Sequence, residues 1–111
     1  MGIRLWIVAA GALLIGCGDD ADGENRVPDI LALTGDVTSG AALYITNCAN
    51  CHGRNGEGGI GPEMTAAVQP LDDETLVDSV LYGIGTMPDH EYLSDQEMAD
   101  ILAYVRDAFG Q

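Results

Sequence analysis

Five consecutive residues, Cys48-Ala49-Asn50-Cys51-His52, carry two thiols three positions apart and an imidazole directly after the second. On a helix, positions three and four apart share a face, so both sulfurs and the ring can turn toward one object. Three chemistries use such a set. Thioethers from both sulfurs to the vinyl groups of one haem, with His52 on the iron, employ all three groups at once, and this spacing is the c-type attachment pattern. A redox dithiol employs only the sulfurs and belongs in an α/β setting. A structural zinc site needs a fourth ligand, for which only His90 and Cys17 remain. The pattern points to haem, with dithiol and zinc chemistry as the alternatives.

Three helical stretches separated by glycine-rich loops are available to position these groups. The first runs from about Val37 to Asn50, with Asp36 as N-cap and Gly40, Leu43, Tyr44 and Asn47 on one face. The second runs from about Asp73 to Tyr82, between an N-cap at Asp72 and a stop at Gly83, with Leu76, Val77, Val80 and Leu81 as its apolar stripe. The third opens on a capping box, Ser94 with Glu97, and Leu93 and Met98 are spaced as a hydrophobic staple. It continues through Ile101, Leu102, Val105 and Phe109 to Gly110. No useful length alternates with period two, so an all-α fold is expected, with no sheet and no internal repeat.

A chain of 111 residues has room for one domain. Its 18 acidic residues outnumber 4 basic ones, all arginine, for a formal charge of −14. Phosphate neutralisation needs cations, so nucleic acid is excluded as a partner, and charge-driven adhesion to anionic lipid is disfavoured. Aromatic residues make up only 5%, and a core of this size is marginal unaided. A buried prosthetic group would supply the missing apolar surface.

The first residues read differently from the rest. Arg4 precedes an apolar run from Leu5 to Ile15, the order of an export signal. That run is shorter than the roughly 20 residues a bilayer span requires. Leu14-Ile15-Gly16-Cys17 resembles the lipobox of bacterial lipoproteins, which implies acylation at Cys17 and stable anchoring by more than one acyl chain. The expected organisation is residues 1–16 as signal peptide, 17–35 as lipidated N-terminus and acidic tether, and 36–111 as the domain. Asp19, Asp20, Asp22 and Glu24 mark the tether. Ile30 to Leu33 could pack on the domain as a short extension, at no assigned place.

Longer segments extend the pattern around Cys48. Gly40-x-x-x-Tyr44-x-x-x-Cys48-x-x-Cys51-His52-Gly53, the loop Gly56 to Pro62, the segment Gly83-Ile84-Gly85-Thr86-Met87-Pro88 and the last helix with Ile101 and Tyr104 together resemble the class I c-type cytochrome family. The likeness covers about Gly35 to Phe109. It implies the cytochrome c fold: three main helices plus loops wrapped around one haem c, bound covalently through Cys48 and Cys51. It implies His52 and Met87 as axial iron ligands. Pro62, beside Gly61 in the haem-binding loop, would offer its carbonyl to the His52 Nδ1 hydrogen. Gly40, without a Cβ, would let Tyr104 approach closely.

The rival sixth ligands read as follows. Met98 lies on the apolar stripe of the last helix and reads as core. Met64 follows Pro62 closely on the proximal side. His90, between Asp89 and Glu91, reads as a solvated loop histidine. A thioether ligand favours reduced iron and suits an electron carrier.

The resemblance therefore implies one-electron transfer between Fe(II) and Fe(III), with no catalytic residues and no small-molecule substrate. Asp72-Asp73-Glu74 and Asp89 with Glu91 read as caps and solvated surface. The expected partners are redox proteins, presenting a basic patch if charge steers docking, and a membrane reached through the lipid anchor. The expected location is the periplasmic side of the cell envelope. The alternative is a haem-based sensor or enzyme subunit whose sixth position is weakly held or open.

Overall fold

The structure is a computed structural model, and it describes residues 25–110. The expected export signal, Cys17 and the acidic run after it lie outside the described residues. Six helices follow one another: α1 (Val27–Leu31), α2 (Val37–Asn47), α3 (Ala49–His52), α4 (Met64–Val68), α5 (Asp73–Tyr82) and α6 (Asp95–Phe109). Among the described residues the extended pairing is limited to one antiparallel bridge between Ile84 and Met87.

The predicted starts of α2, α5 and α6 are present with their caps. The carboxylates of Asp36 and Asp72 accept from the Ser39 and Thr75 amides, and Ser94 and Glu97 close a reciprocal capping box. Those amides hold both capping carboxyls below the ordinary aspartate range. Gly83, at φ 84°, ends α5 in a left-handed conformation that glycine adopts without strain.

Three features depart from expectation. The first helix stops at Asn47 rather than Asn50. Cys48, at φ −120°, forms the junction to α3, and its carbonyl accepts from both the Cys51 and His52 amides. The second is α4, where Glu63 caps a five-residue turn by accepting from the Thr65 and Ala66 amides. So short an element carries no readable periodicity. The third is α1. Within the stretch 17–35 read as tether, where Ile30 to Leu33 could pack at no assigned place, Val27 and Ile30 are buried against α5 and α6. A helix this short is marginal alone and is held by its tertiary contacts.

The frame of the molecule is the crossing of α2 with α6. A Cβ on Gly40 would lie 2.6 Å from the Asp100 carbonyl carbon and 2.8 Å from the Tyr104 Cβ, closer than real Cβ atoms approach. Beside this crossing Tyr44, Tyr104 and Phe109 form an aromatic cluster with centroid separations of 5.4 to 5.9 Å. The remaining helices pack around this pair and leave a cleft over the junction of α2 and α3.

Candidate functional site

The junction at Cys48 and the single turn of α3 place the chemistry-bearing residues at the base of the cleft. Cys48 and Cys51 are free thiols, the first buried and the second half-buried. Burial, and then the neighbouring Cys51, push the Cys48 thiol up to about 11. His52 is buried, and its Nδ1 lies 2.9 Å from the Pro62 carbonyl oxygen. An Nδ1–H donated there fixes the ring and leaves Nε2 for a metal. Gly61 completes this contact: a Cβ there would lie 2.6 Å from His52 Cε1, so only glycine fits against the ring.

Tyr44 supports the same turn from behind, its hydroxyl donating to the Gly53 carbonyl at 2.7 Å. Full burial, with a smaller contribution from Cys48, pushes its phenol up to about 12.

Above His52 the cleft has two lobes. An outer one of about 310 Å³ is rimmed by Ile60, Pro62, Ile84 and Met87. A deeper, narrow one of about 30 Å³ reaches Cys48, Val77 and Ile101. His52, Met64, Leu76, Val80 and Met87 line both lobes. An apolar cleft with two free thiols and one pre-set imidazole on its floor fits a haem in the chemistry of its lining. No group of three or more His, Cys, Asp or Glu converges as for a zinc ion among the described residues, and the all-helical setting is not that of a dithiol oxidoreductase.

Met64, Met87 and Met98 all reach the cleft, and their settings differ. Met98 is 1% exposed within α6, and Met64 is buried at the start of α4. Met87 is half-buried in the turn that Ile84 and Met87 close by mutual backbone hydrogen bonds.

His90 requires a correction. Expected to be a solvated histidine, it is only 5% exposed. Its Nδ1 lies 3.0 Å from the Val80 carbonyl oxygen and its amide donates to Leu81. Its ring faces Tyr92 at 5.8 Å, and the Tyr92 hydroxyl donates to Asn47 Oδ1. The flanking acids suggest water; the backbone partners lie nine and ten residues back, at the end of α5, where no local pattern shows them. His90 lines neither lobe, whereas Met87 lines both.

Asp100 was not singled out by its sequence context either. It is buried at the α2–α6 crossing and accepts from the Asp36 amide and from Gln96.

With this geometry in view, residues 35–105 match the protein family described as cytochrome c oxidase, cbb3-type, subunit III. A cytochrome c-553-like protein of Synechocystis sp. is 38% identical over 84 residues, which cover 75% of this chain and 79% of that protein. Among solved structures, cytochrome c6 of the diatom Phaeodactylum tricornutum superposes with a TM-score of 0.55 at 32% identity, over 64% of this chain and 91% of that one. Cytochrome cL of Hyphomicrobium denitrificans gives 0.57 at 28% identity, over 63% of this chain and 45% of the other.

Proposed function

Because the chain belongs to the class I monohaem c-type cytochromes, we propose that it is an exported, lipid-anchored electron carrier whose iron is held by His52 and Met87. Membership carries the coarser statements: one haem c is attached covalently through Cys48 and Cys51, and the protein transfers electrons rather than catalysing a reaction on a substrate. When bound, the haem supplies one-electron exchange between Fe(II) and Fe(III).

The rest of the task falls to the chain's own residues. His52, tied at Nδ1 to Pro62, presents Nε2 in one orientation, and Gly61 keeps the space against its ring clear. Met87 presents its thioether from a closed turn. Leu76, Val77, Val80 and Ile101 exclude water, which favours the less charged, reduced state. Held by His52 and Met87 together, the iron would keep the same protein ligands in both oxidation states, and little would have to reorganise on transfer.

The observation that carries this reading is the convergence of both thiols, a locked His52 and Met87 on one apolar cleft. The test is the long-wavelength absorption of the oxidised, haem-loaded protein, where a methionine sulfur on ferric iron gives a weak band. The band is expected in the wild type and in Met64→Leu, and absent in Met87→Ala. A wild type without it, or Met87→Ala retaining it, overturns the ligand assignment.

Export and anchoring rest on Arg4, the apolar run to Ile15, and Cys17. We place cleavage after Gly16, acylation on Cys17, and a tether ending near Asn25, where the described fold begins. No described helix is long and apolar enough to cross a membrane. Cys17→Ala is expected to release the protein from the membrane fraction; retention there refutes the anchor. With 18 acids against 4 arginines, the partner should present basic residues to the cleft mouth, where Ile60 and Ile84 stand exposed. Its association rate then falls as salt rises.

A further inference from the structure

The segment from Met87 to Leu93 is irregular, and regular structure does little to hold it. The Met87 amide reaches back to Ile84, His90 binds the end of α5 through its amide and Nδ1, and Leu93 binds His90. The Tyr92 hydroxyl donates to Asn47 of α2 at 2.6 Å, and a further hold comes from the start of the described fold. Arg26, just before α1, donates from Nε to Asp95 Oδ1 at 2.8 Å, from Nη1 to the Glu91 carbonyl at 2.9 Å and from Nη2 to the Leu93 carbonyl at 2.6 Å. One planar guanidinium thus spans the stretch that joins Met87 to α6.

Arg26 is itself fixed. Its amide donates to the Tyr82 hydroxyl at 3.3 Å, and Val27 and Ile30 immediately after it are buried. A surface cation would be mobile and worth little; this one sits on an anchored helix and makes two charge-assisted bonds to backbone besides its ion pair. We infer that Arg26, with α1 as its mount, is a positioning residue for the sixth-ligand loop, so that the N-terminal segment helps keep the Met87 thioether on the iron. The inference rests on the assignment of Met87 as ligand.

Arg106 provides a natural comparison, because it uses the same arrangement on a different loop. It donates to Asp73 Oδ1 at 2.7 Å and to the Val68 and Leu71 carbonyls. Both paired aspartates are the first residues of their helices, Asp95 of α6 and Asp73 of α5. Each arginine therefore ties down the loop that leads into a helix, and only Arg26 ties the loop that carries Met87.

The experiment uses the haem-loaded full chain. Imidazole binding to the ferric protein reports how readily the sixth ligand yields, and amide exchange at Met87, His90 and Leu93 reports the segment directly. Arg26→Ala is expected to bind imidazole at least about tenfold more tightly than wild type, equivalent to about 1.4 kcal/mol. Exchange at the three amides should rise while that of α2 is unchanged. Arg106→Ala should leave imidazole affinity within about twofold of wild type. If Arg26→Ala does not fold, Arg26→Lys keeps the charge toward Asp95, loses the fork on the two carbonyls, and should shift both readouts the same way.

Unchanged exchange in the segment overturns the inference. So does faster exchange without tighter imidazole binding, or an equal gain in affinity from Arg106→Ala, which would mean general loosening. Failure of the Met87 assignment shows in the wild-type spectrum alone, before any Arg26 variant is made, and the inference falls with it.

Discussion

Replacing Gly40 with alanine tests the frame of the fold at one atom. In an isolated helix the change is favourable, since alanine exceeds glycine in helix propensity by about 1 kcal/mol. Here the added methyl would stand 2.6 Å from the Asp100 carbonyl carbon and 2.8 Å from the Tyr104 Cβ. Ordinary contact begins near 3.4 Å, and the atoms in the way belong to the backbone of α6 and to the stiff root of a side chain, not to a flexible tip. The Asp100 carbonyl oxygen stands nearer still, so the two helices would have to separate by more than an ångström along their closest line. Overpacking of this kind costs about 1–3 kcal/mol, and a backbone obstruction belongs at the top of that range. Net of the propensity gain, Gly40→Ala is expected to destabilise by about 2 kcal/mol, a fall in Tm of about 8–16 °C for a domain of this size. Thermal unfolding of the haem-loaded protein by circular dichroism gives the number. Thr38→Ala, two residues earlier on the exposed side of α2, serves as control and should change stability by less than about 0.5 kcal/mol. A Gly40→Ala protein as stable as wild type would mean that α2 and α6 are not in close contact, and the reasoning about the crossing would be wrong.

Three further outcomes are expected. Ser94→Ala removes half of the capping box at α6 and should cost about 1 kcal/mol in urea unfolding, with no change in m-value. The capping carboxyls of Asp36, Glu63 and Asp72 lie below their ordinary values because backbone amides donate to them. Their contribution is therefore complete above the ordinary carboxylate range and is lost as pH falls through it toward the lowered folded values. Urea midpoints at neutral pH and stepwise down to about pH 3 should fall accordingly, and Asp36→Asn, which keeps a cap without a charge, should flatten the curve; a midpoint rising on acidification contradicts the assignment. At the other extreme, the Tyr44 phenol sits at about 12, raised chiefly by burial, so its contribution is complete below its ordinary value near 10 and is lost as pH climbs through the raised one. Tyr44→Phe should weaken the alkaline loss of stability in that window and cost about 1 kcal/mol at neutral pH through the bond to Gly53.

How far the sequence is legible depends on the range over which each feature is determined. The caps of α2, α5 and α6 are local, because a side chain and an amide three residues on decide them, and Asp36, Asp72 and Ser94 could be read directly. The haem segment was equally plain, since Cys48, Cys51 and His52 act within five residues. Gly40 against Tyr104 and Pro62 against His52 were legible only through the family resemblance, because nothing near either residue announces its partner. Three features were placed by neither route. His90 is buried through contacts with the end of α5, and its acidic neighbours pointed the other way. Asp100 lies among apolar positions of α6, and besides Gln96 its partner is the Asp36 amide, 64 residues earlier in the chain. The helix α1 has two buried side chains and no repeat to betray it; Arg26, which fixes it, looks from sequence like one more surface cation.

The α2–α6 crossing also governs the order in which the fold can come into being. Gly40 meets Asp100, so the tightest contact in the domain joins its second helix to the last one. Closing a loop of that length carries an entropic cost that must be met before the contact gives anything back. As the polypeptide is delivered from its N-terminal end, α2 therefore has nothing to lie against until the stretch from Asp95 onward has arrived. Cys48, Cys51 and His52 lie in the sequence between the two halves of the crossing, so the residues that hold the haem are all in the chain before the helix that closes the frame.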